Sequence, residues 1–422
     1  MQKVLMLIAV MLLSVFSVFA GEVDKLTSIL ADKGIISYGE AQRIISETKE
    51  DSRQQTASGT NEVLPKWIQN LTFKGDIRIR HQVDWDNSKG ATAHTRQRER
   101  LRLRFGFETR PIENLKTAFG LASGAFAGNG DKSSTSTNHT FQAFDKAPIF
   151  IDYAYIQYEF MDYFKLTGGK MKSGTQVWNP SDLIWDTDIN PDGFALNFNR
   201  TLNSKLKVFA NASWLILNEV NDNTSGSMPD VYSIQPGISF ETGNVKIKAA
   251  LSYQQFNMKG RTIYSNEDKY LITTKTTGTG DSNYQILNPS LEIKLSNVIE
   301  NLSISLFSDY VQNLYDKVYK NNLGGYLFGI GFGNEKLEKF GAWQIKFMHR
   351  YLERNAIPLG LGDSDAYGGA GNAQGQEVIF NFGLAKNLYF GVDYYSMEQI
   401  EAVNGKSKVP KSVVQLDLNY KF

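Results

Sequence analysis

Residues 71–80 have the sequence LTFKGDIRIR, in which odd-numbered positions are apolar or glycine and even-numbered positions are polar. Successive side chains of a β-strand point to opposite faces, so this alternation predicts a strand with one apolar and one polar face. Residues 100–105 (RLRLRF), 245–249 (VKIKA) and 414–422 (VQLDLNYKF) repeat the pattern. A wall between lipid and water would produce it, and so would a soluble β-sandwich.

The number and length of the predicted strands favour the first interpretation. An even number of strands, each of roughly 9–11 residues, is typical of bacterial outer-membrane barrels. Sixteen segments have strand character, and most are close to this length: 69–85, 98–109, 114–124, 149–160, 163–173, 192–200, 204–217, 230–240, 244–257, 283–295, 301–313, 323–334, 341–353, 376–385, 387–397 and 411–422.

The connections between these strands are alternately short and long. Short links include 110–113, 161–162, 241–243 and 386, and long ones include 125–148, 174–191, 258–282 and 354–375. Outer-membrane barrels have short periplasmic turns and long external loops, whereas a sandwich has no reason to maintain that alternation over eight hairpins.

The last predicted strand alternates to its final residue, since Leu418, Tyr420 and Phe422 continue its apolar face. A closed barrel needs this strand to pair with the first one, because an open edge cannot face lipid. The same three residues resemble the recognition signal of outer-membrane barrel assembly. The predicted fold class is therefore all-β, a transmembrane antiparallel β-barrel of about sixteen strands with a short N-terminal helical segment.

Aromatic residues give weaker support for this barrel. Interfacial girdles lie at strand ends in membrane barrels, although aromatics are common in strands of every kind. Candidates at or near predicted strand ends are Trp85, Tyr153, Tyr155, Tyr158, Trp214, Tyr253, Tyr310, Trp343 and Tyr394.

Composition excludes several other classes of protein. The 422 residues include 45 Lys+Arg and 44 Asp+Glu, so the chain is not a strongly basic nucleic-acid binder. The absence of cysteine excludes a disulfide scaffold and a cysteine–zinc site. No segment after the first twenty residues approaches eighteen consecutive apolar residues, which argues against a further membrane helix.

The N-terminal region differs from the rest of the chain. Residues 1–20 contain Lys3, a short apolar stretch and Ala20 at a cleavage position, which indicates a signal peptide rather than an uncleaved anchor helix. Residues 21–64 predict a periplasmic helical hairpin, whose second helix begins with a capping box at Ser37–Glu40, and a polar linker. This hairpin is either an assembly or cell-wall contact or a helical pair with no separate activity. Residues 65–422 form the predicted barrel.

The polar faces of the first two strands carry the candidate pore-lining residues. If the odd-numbered residues face lipid, a basic set faces the lumen: Lys74, Arg78, Arg80, Arg98, Arg100, Arg102 and Arg104. Arginine keeps its charge at neutral pH, so this set predicts a permanent positive field that steers anions. The alternative is a set of solvated ladders, paired with acids in the lumen.

Residues 178–193 (WNPSDLIWDTDINPDG) supply the candidate constriction. The loop at this place in sixteen-stranded general porins folds inward. That resemblance implies a constriction loop formed by Trp178, Asp182, Trp185, Asp186, Asp188 and Asp192, with its acids facing the arginines. Opposed charges across a narrow pore orient dipolar solutes. Residues 186–190 also resemble the start of an EF-hand, but Pro191 and Asn197 break that motif, so we expect no metal.

The predicted signal peptide and four segments together resemble the putative porin family of Gram-negative outer membranes: 29–36 with Glu40-Ala41, 75–80, 96–104 and 185–193. The match covers most of 23–200 by motif. The resemblance implies a channel without a firmly assigned solute and without a cofactor. The partners that it implies are the lipids and lipopolysaccharide of the outer membrane, the barrel-assembly machinery and small hydrophilic solutes. A homotrimer rests on analogy alone.

Signals of an enzyme are nearly absent, since none of the four histidines lies at ligand spacing with another histidine or an acid. The sequence therefore predicts passive diffusion of small hydrophilic solutes with a modest anion preference. Two other classes stay open. One is a substrate-specific channel for sugar, phosphate or carboxylate, with Trp178 and Trp185 as a stacking surface. The other is a non-conducting structural or adhesion barrel.

Overall fold

The computed structural model describes residues 37, 39, 40, 42, 43, 46, 66–86, 94–125, 136–218, 228–258, 262–265, 270–273, 283–315, 320–369, 371–402 and 408–422. The predicted signal peptide, the first predicted helix and the linker lie outside these residues. The chain divides into two compact units, 1–70 and 71–422. No helix in the described ranges is long and apolar enough to cross a membrane.

The described part of the first unit contains the predicted capping box. The Ser37 amide donates to Glu40 Oε2 at 2.9 Å, and the Glu40 amide donates to Ser37 Oγ at 3.3 Å. These hydrogen bonds hold the pKa of Glu40 below its usual value. Residues 39, 40, 42, 43 and 46 are helical. A short helix α1, Lys66–Gln69, lies near the end of this unit.

The second unit contains all sixteen predicted strands. Its elements are β1 Thr72–Asp86, β2 His94–Ile112, β3 Leu115–Ser123, β4 His139–Thr140, β5 Ile149–Phe160, β6 Phe164–Lys170, β7 Asp192–Thr201, β8 Leu206–Ile216, β9 Asp230–Thr242, β10 Val245–Asn257, β11 Thr262–Ser265, β12 Tyr270–Thr273, β13 Tyr284–Ile299, β14 Leu302–Asn313, β15 Gly324–Asn334, β16 Trp343–Leu352, a 3-10 turn Tyr367–Gly369, β17 Ala373–Ala385, β18 Leu388–Gln399 and β19 Pro410–Lys421. The additional β4 is a two-residue pairing on β2, and β11 and β12 form a separate hairpin.

The sixteen long strands form one closed antiparallel barrel, as predicted. Strands adjacent in sequence pair with each other, and β19 returns to pair with β1. At the seam, Phe422 and Gly75 exchange two backbone hydrogen bonds of 3.0 Å. Closure gives both terminal strands a partner on each side, which is the requirement for a sheet that faces lipid.

The two faces of the wall differ as the alternation predicts. Ile77 and Ile79 are 38% and 49% exposed, whereas Arg78 and Arg80 between them are 9% and 5% exposed. Large exposed apolar side chains continue on this outer face to Tyr420. Polar side chains therefore point to the lumen, where long loops cover them.

Two long connections fold into the lumen. We call residues 171–191 between β6 and β7 loop L3, and residues 353–372 between β16 and β17 loop L7. Leu183 and Ile184 of L3 and Ile357 and Leu361 of L7 are buried in one apolar cluster. The cluster packs on the inner faces of β7 to β10 and β13 to β16, at Ala195, Leu215, Val231, Phe256, Ile286, Phe307, Val311, Leu327, Met348 and Leu352. By strand order this side lies across the barrel from β1, β2 and β19.

Candidate channel constriction

The predicted arginines form a continuous wall across β1 and β2. The antiparallel register places Arg78 beside Arg102 and Arg80 beside Arg100. All four side chains are buried, with Arg100 only 3% exposed. Strand alternation explains this concentration, because every second residue of both strands points to the same patch of lumen.

Carboxylates from three positions pair with most of this wall. Asp76 accepts hydrogen bonds from Arg102 Nε at 2.8 Å and from Arg104 Nε at 2.7 Å. Asp417 on β19 accepts two from Arg80, at 2.7 and 2.8 Å. Asp84 on β1 accepts one at 2.8 Å from Arg98. The wall therefore contains the paired ladders that the sequence left open as an alternative to a purely basic surface.

Two arginines of the wall hydrogen-bond to neutral amides. Arg78 Nη2 donates to Asn138 at 2.5 Å, and its nearest carboxylate oxygen, on Asp417, is 3.7 Å away. Arg100 Nη1 donates to Gln82 at 3.1 Å. An amide satisfies the donor without neutralising the charge, so Arg78 contributes positive potential to the lumen.

Lys74 belongs to a separate group of lysines around Glu108. The Glu108 carboxylate lies 3.5 Å from Lys74 Nζ, 3.0 Å from Lys116 Nζ and 2.7 Å from Lys172 Nζ. Three cations share one anion, so this group is also net positive. The Lys74 side chain is 58% exposed, which makes it the most accessible of the predicted basic residues in the pairs described.

Loop L3 is attached to the inner wall through its polar atoms. Asp182 accepts a 2.6 Å hydrogen bond from Arg350 on β16, and the amide of Ser181 donates to Asp309 on β14 at 3.1 Å. The Ser181 hydroxyl donates to the same carboxylate. Gln235 on β9 pairs with both backbone groups of Trp178 at 2.7 Å. The loop is thus held on the side of the barrel away from the arginines.

Trp178 and Trp185 pack against this wall. Trp185 is 6% exposed, stacks on Phe256 with ring centroids 6.1 Å apart, and donates from Nε1 to Gln254 at 2.9 Å. The ammonium of Lys248 lies 4.2 Å from the Trp178 ring. Trp185 therefore has little exposed ring surface on which a sugar could stack.

Asp186 joins L3 to L7. Its amide donates to the Leu361 carbonyl at 2.6 Å, and its carboxylate accepts hydrogen bonds from the amides of Asp188 and Ser364, at 2.9 and 3.1 Å. Burial, and next the charge of Asp188, raises the pKa of Asp186 to about 7. The side chain holds the two loops together and does not face the arginines.

One predicted acid of L3 and one acid of L7 act on the arginine wall. Asp188 lies close enough to interact electrostatically with Arg78, Arg102 and Arg104. Asp365, which the sequence prediction missed, lies 3.5 Å from Arg80. Burial alone would raise the pKa of Asp365, but the charge of Arg80 and other contacts lower it below the usual value.

The other predicted acids do not face that wall. Asp182 pairs with Arg350, and Asp186 binds the L7 backbone, as described above. Asp192 begins β7 and contacts Lys170 at 3.2 Å, on the same strand face as the outward-facing and half-exposed Phe194. The prediction that all four acids oppose the arginines is therefore wrong for these three, because the loop turns its side chains toward several walls.

A cavity of about 320 Å3 is lined by both Asp188 and Arg104. Asp152 and Tyr153 also line it, and the sequence had placed Tyr153 in the outer girdle. The strand pairing shifts by one residue between Ile151 and Tyr153, which turns both Asp152 and Tyr153 inward. The Tyr153 ring then covers Gly120, where a Cβ would lie 2.2 Å from it. No group of three metal-ligating side chains that could hold an ion occurs within the described ranges.

A family model described as "Putative porin" matches residues 88–290 and 281–422. The chain belongs to this porin family. No curated protein matches the sequence. The family and the closed sixteen-stranded wall identify the molecule as an outer-membrane β-barrel with a porin-like channel fold.

One solved structure shares the fold of this porin at low sequence identity, and two others show a weaker similarity. OprB of Pseudomonas putida superimposes with a TM-score of 0.55 at 12% identity, covering 87% of this chain and 97% of that one. The outer-membrane channel DcaP of Acinetobacter baumannii gives a TM-score of 0.47 at 12% identity, covering 83% and 97%. OmpF of Salmonella typhi, solved with daunomycin, gives 0.45 at 14% identity, covering 83% and 97%.

Proposed function

We propose that this porin mediates passive diffusion of small hydrophilic solutes across the outer membrane of a Gram-negative bacterium, with a modest preference for anions. Residues 1–20 direct export and are removed, and the mature chain inserts among lipids and lipopolysaccharide. We propose no enzymatic activity and no cofactor. A homotrimer remains part of the proposal by analogy with general porins.

The charge balance of the arginine wall carries the anion preference. Five arginines, Arg78, Arg80, Arg98, Arg102 and Arg104, contact four carboxylates, those of Asp76, Asp84, Asp365 and Asp417. Guanidinium groups stay ionised at neutral pH, so their positive charge is permanent. A positive wall raises the local concentration of anions, and the charge of Asp188 reduces that effect.

Ion selectivity in planar bilayers tests this proposal. The triple replacement of Arg100, Arg102 and Arg104 by glutamine leaves Asp76 without both of its guanidinium partners. We expect the reversal potential in a salt gradient to move to the cation-selective side. The matched triple replacement by lysine keeps the charge and should retain the anion preference.

An unchanged reversal potential in the glutamine variant would exclude steering by these arginines. Absence of conductance in the unmodified protein would instead favour a structural barrel. The apolar packing of L3 and L7 in the lumen is the observation that supports this second candidate.

The exposed residues Leu418, Tyr420 and Phe422, at the end of the chain, support a further part of the proposal, recognition by the assembly machinery.

A further inference from the structure

The cavity between L3 and the β1–β2 wall contains charges of both signs within one small space. Its basic side chains are Lys74, Arg104 and Lys172, and its carboxylates are Asp76, Asp152 and Asp188. Hydroxyl groups of Thr137, Ser173 and Thr187 complete the lining. A volume of about 320 Å3 lies at the lower end of the range for small-molecule sites.

Two carboxylates of this lining, Asp188 and Asp152, have unused hydrogen-bonding capacity. No side chain or backbone group of the described residues donates to the Asp188 carboxylate, although its charge acts on the arginines. The Asp152 carboxylate accepts one hydrogen bond, from Asn190 Nδ2 at 2.7 Å. An ionised carboxylate has about four acceptor positions, so both groups can accept further donors from a solute.

The cations have unused donors as well. Arg104 donates from Nε to Asp76, and its side chain is 34% exposed. Lys172 donates to Glu108 at 2.7 Å, lies 4.2 Å from the centre of the Tyr153 ring and has a side chain that is 36% exposed. Guanidinium and ammonium groups carry five and three N–H donors, so both retain donors for a solute carboxylate.

We propose that this cavity is a subsite for small zwitterions that carry a carboxylate and an ammonium group, such as free α-amino acids. Arg104 and Lys172 bind the carboxylate, and Asp188 and Asp152 bind the ammonium. The two carboxylates repel a simple anion, and the two basic side chains repel a simple cation. A zwitterion places an opposite charge against each pair. This inference rests on the proposed function, since it names one class of diffusing solute.

Binding to the full-length, detergent-solubilised protein tests the subsite separately from transport. The probes are glutamine, N-acetylglutamine, which lacks the ammonium, and glutamine amide, which lacks the carboxylate. Saturation-transfer NMR titrations give the dissociation constant of each probe. We expect glutamine to bind at least tenfold more tightly than either derivative.

Asp188→Asn tests the group that binds the ammonium, and Arg104→Gln tests the group that binds the carboxylate. Asp188→Asn should remove the preference for glutamine over N-acetylglutamine, and Arg104→Gln should remove the preference over glutamine amide. Arg104→Lys should restore it, which separates the role of the charge from loss of the Asp76 contact. Glu335→Gln and Lys346→Gln, in a different lumenal cavity, are matched controls and should leave all three constants unchanged.

Equal affinity for the three probes would overturn the subsite, as would a preference that survives both Asp188→Asn and Arg104→Gln. Absence of conductance in bilayers would overturn passive diffusion without affecting this binding result. The two proposals therefore fail in different measurements.

Discussion

Replacement of Arg350 by glutamine should release loop L3 from the wall. Arg350 has a side chain that is 6% exposed, and its Nη2 lies 2.6 Å from Asp182 and 3.7 Å from Asp363. One guanidinium thus holds a carboxylate from each lumenal loop. Glutamine carries no charge, so Asp182 loses its cationic partner.

Loss of one partner from a buried ion pair costs about 3–5 kcal/mol, because the other charge stays desolvated. The side chain of Asp182 is 27% exposed, so water compensates for part of this loss. We therefore take the lower limit, about 3 kcal/mol, which lowers the ratio of docked to undocked L3 roughly a hundredfold. Asp363 adds less to this cost, because burial raises the pKa of its carboxyl group well above the usual value and the group takes up a proton more readily once the guanidinium is gone.

Chymotrypsin cleavage at Trp178 and Trp185 in the detergent-solubilised protein measures this undocked population. We expect Arg350→Gln to speed cleavage in L3 by up to two orders of magnitude and to increase open-channel noise in bilayers. The double variant with Asp182→Asn removes both charges and should recover part of the protection, because no unpaired ion remains at that position. Equal cleavage rates in Arg350→Gln and the unmodified protein would refute the assigned role of the pair.

Three further perturbations address the same lumen and the barrel seam. The pKa of Asp186 is raised to about 7 in the docked loop L3, so the docked loop binds the carboxyl proton of Asp186 more tightly than an undocked loop does. Docking should therefore weaken as the pH rises from about 4 to 7. Asp186→Asn should flatten this pH dependence of the chymotrypsin cleavage rate. Trp185→Ala should destabilise the docked loop by about 3–5 kcal/mol and expose Trp178 to chymotrypsin, and an unchanged rate would contradict its placement in the apolar cluster. Deletion of Phe422 removes both backbone hydrogen bonds to Gly75 and should lower the temperature at which gel electrophoresis no longer detects the folded form. Phe422→Ala keeps these backbone groups and should lower that temperature less.

The wall of the barrel could be predicted from the sequence because each strand records its surroundings locally. Ile77, Arg78, Ile79 and Arg80 alternate since the pleat turns successive side chains to lipid and to the lumen. No tertiary information is needed to read that pattern. Local irregularities are not recorded in the same way, and the one-residue shift before Tyr153 turned an expected outer aromatic residue into the lumen.

The partners of the arginines were harder to predict, because a loop has no periodicity that fixes the direction of its side chains. Asp182 and Asp188 are six positions apart in L3, but one contacts β16 and the other acts on the β1–β2 wall. Asp365 belongs to L7, which is distant in sequence from Arg80. Its role depends on how L7 packs, which no short motif in the chain encodes.

The apolar cluster explains why the charged constriction forms where it does. Leu183 and Ile184 are fully buried on the inner face of β8 to β10 and β13 to β16, so the middle of L3 is fixed on that side. The chain must then return to β7, and Asp188 lies on this returning segment, where it faces the arginines. L7 crosses in the same way, because its start joins the cluster and Ala366 packs with Tyr395 on β18. Hydrophobic burial on one side of the lumen therefore positions the carboxylates that define the electrostatic field on the other side.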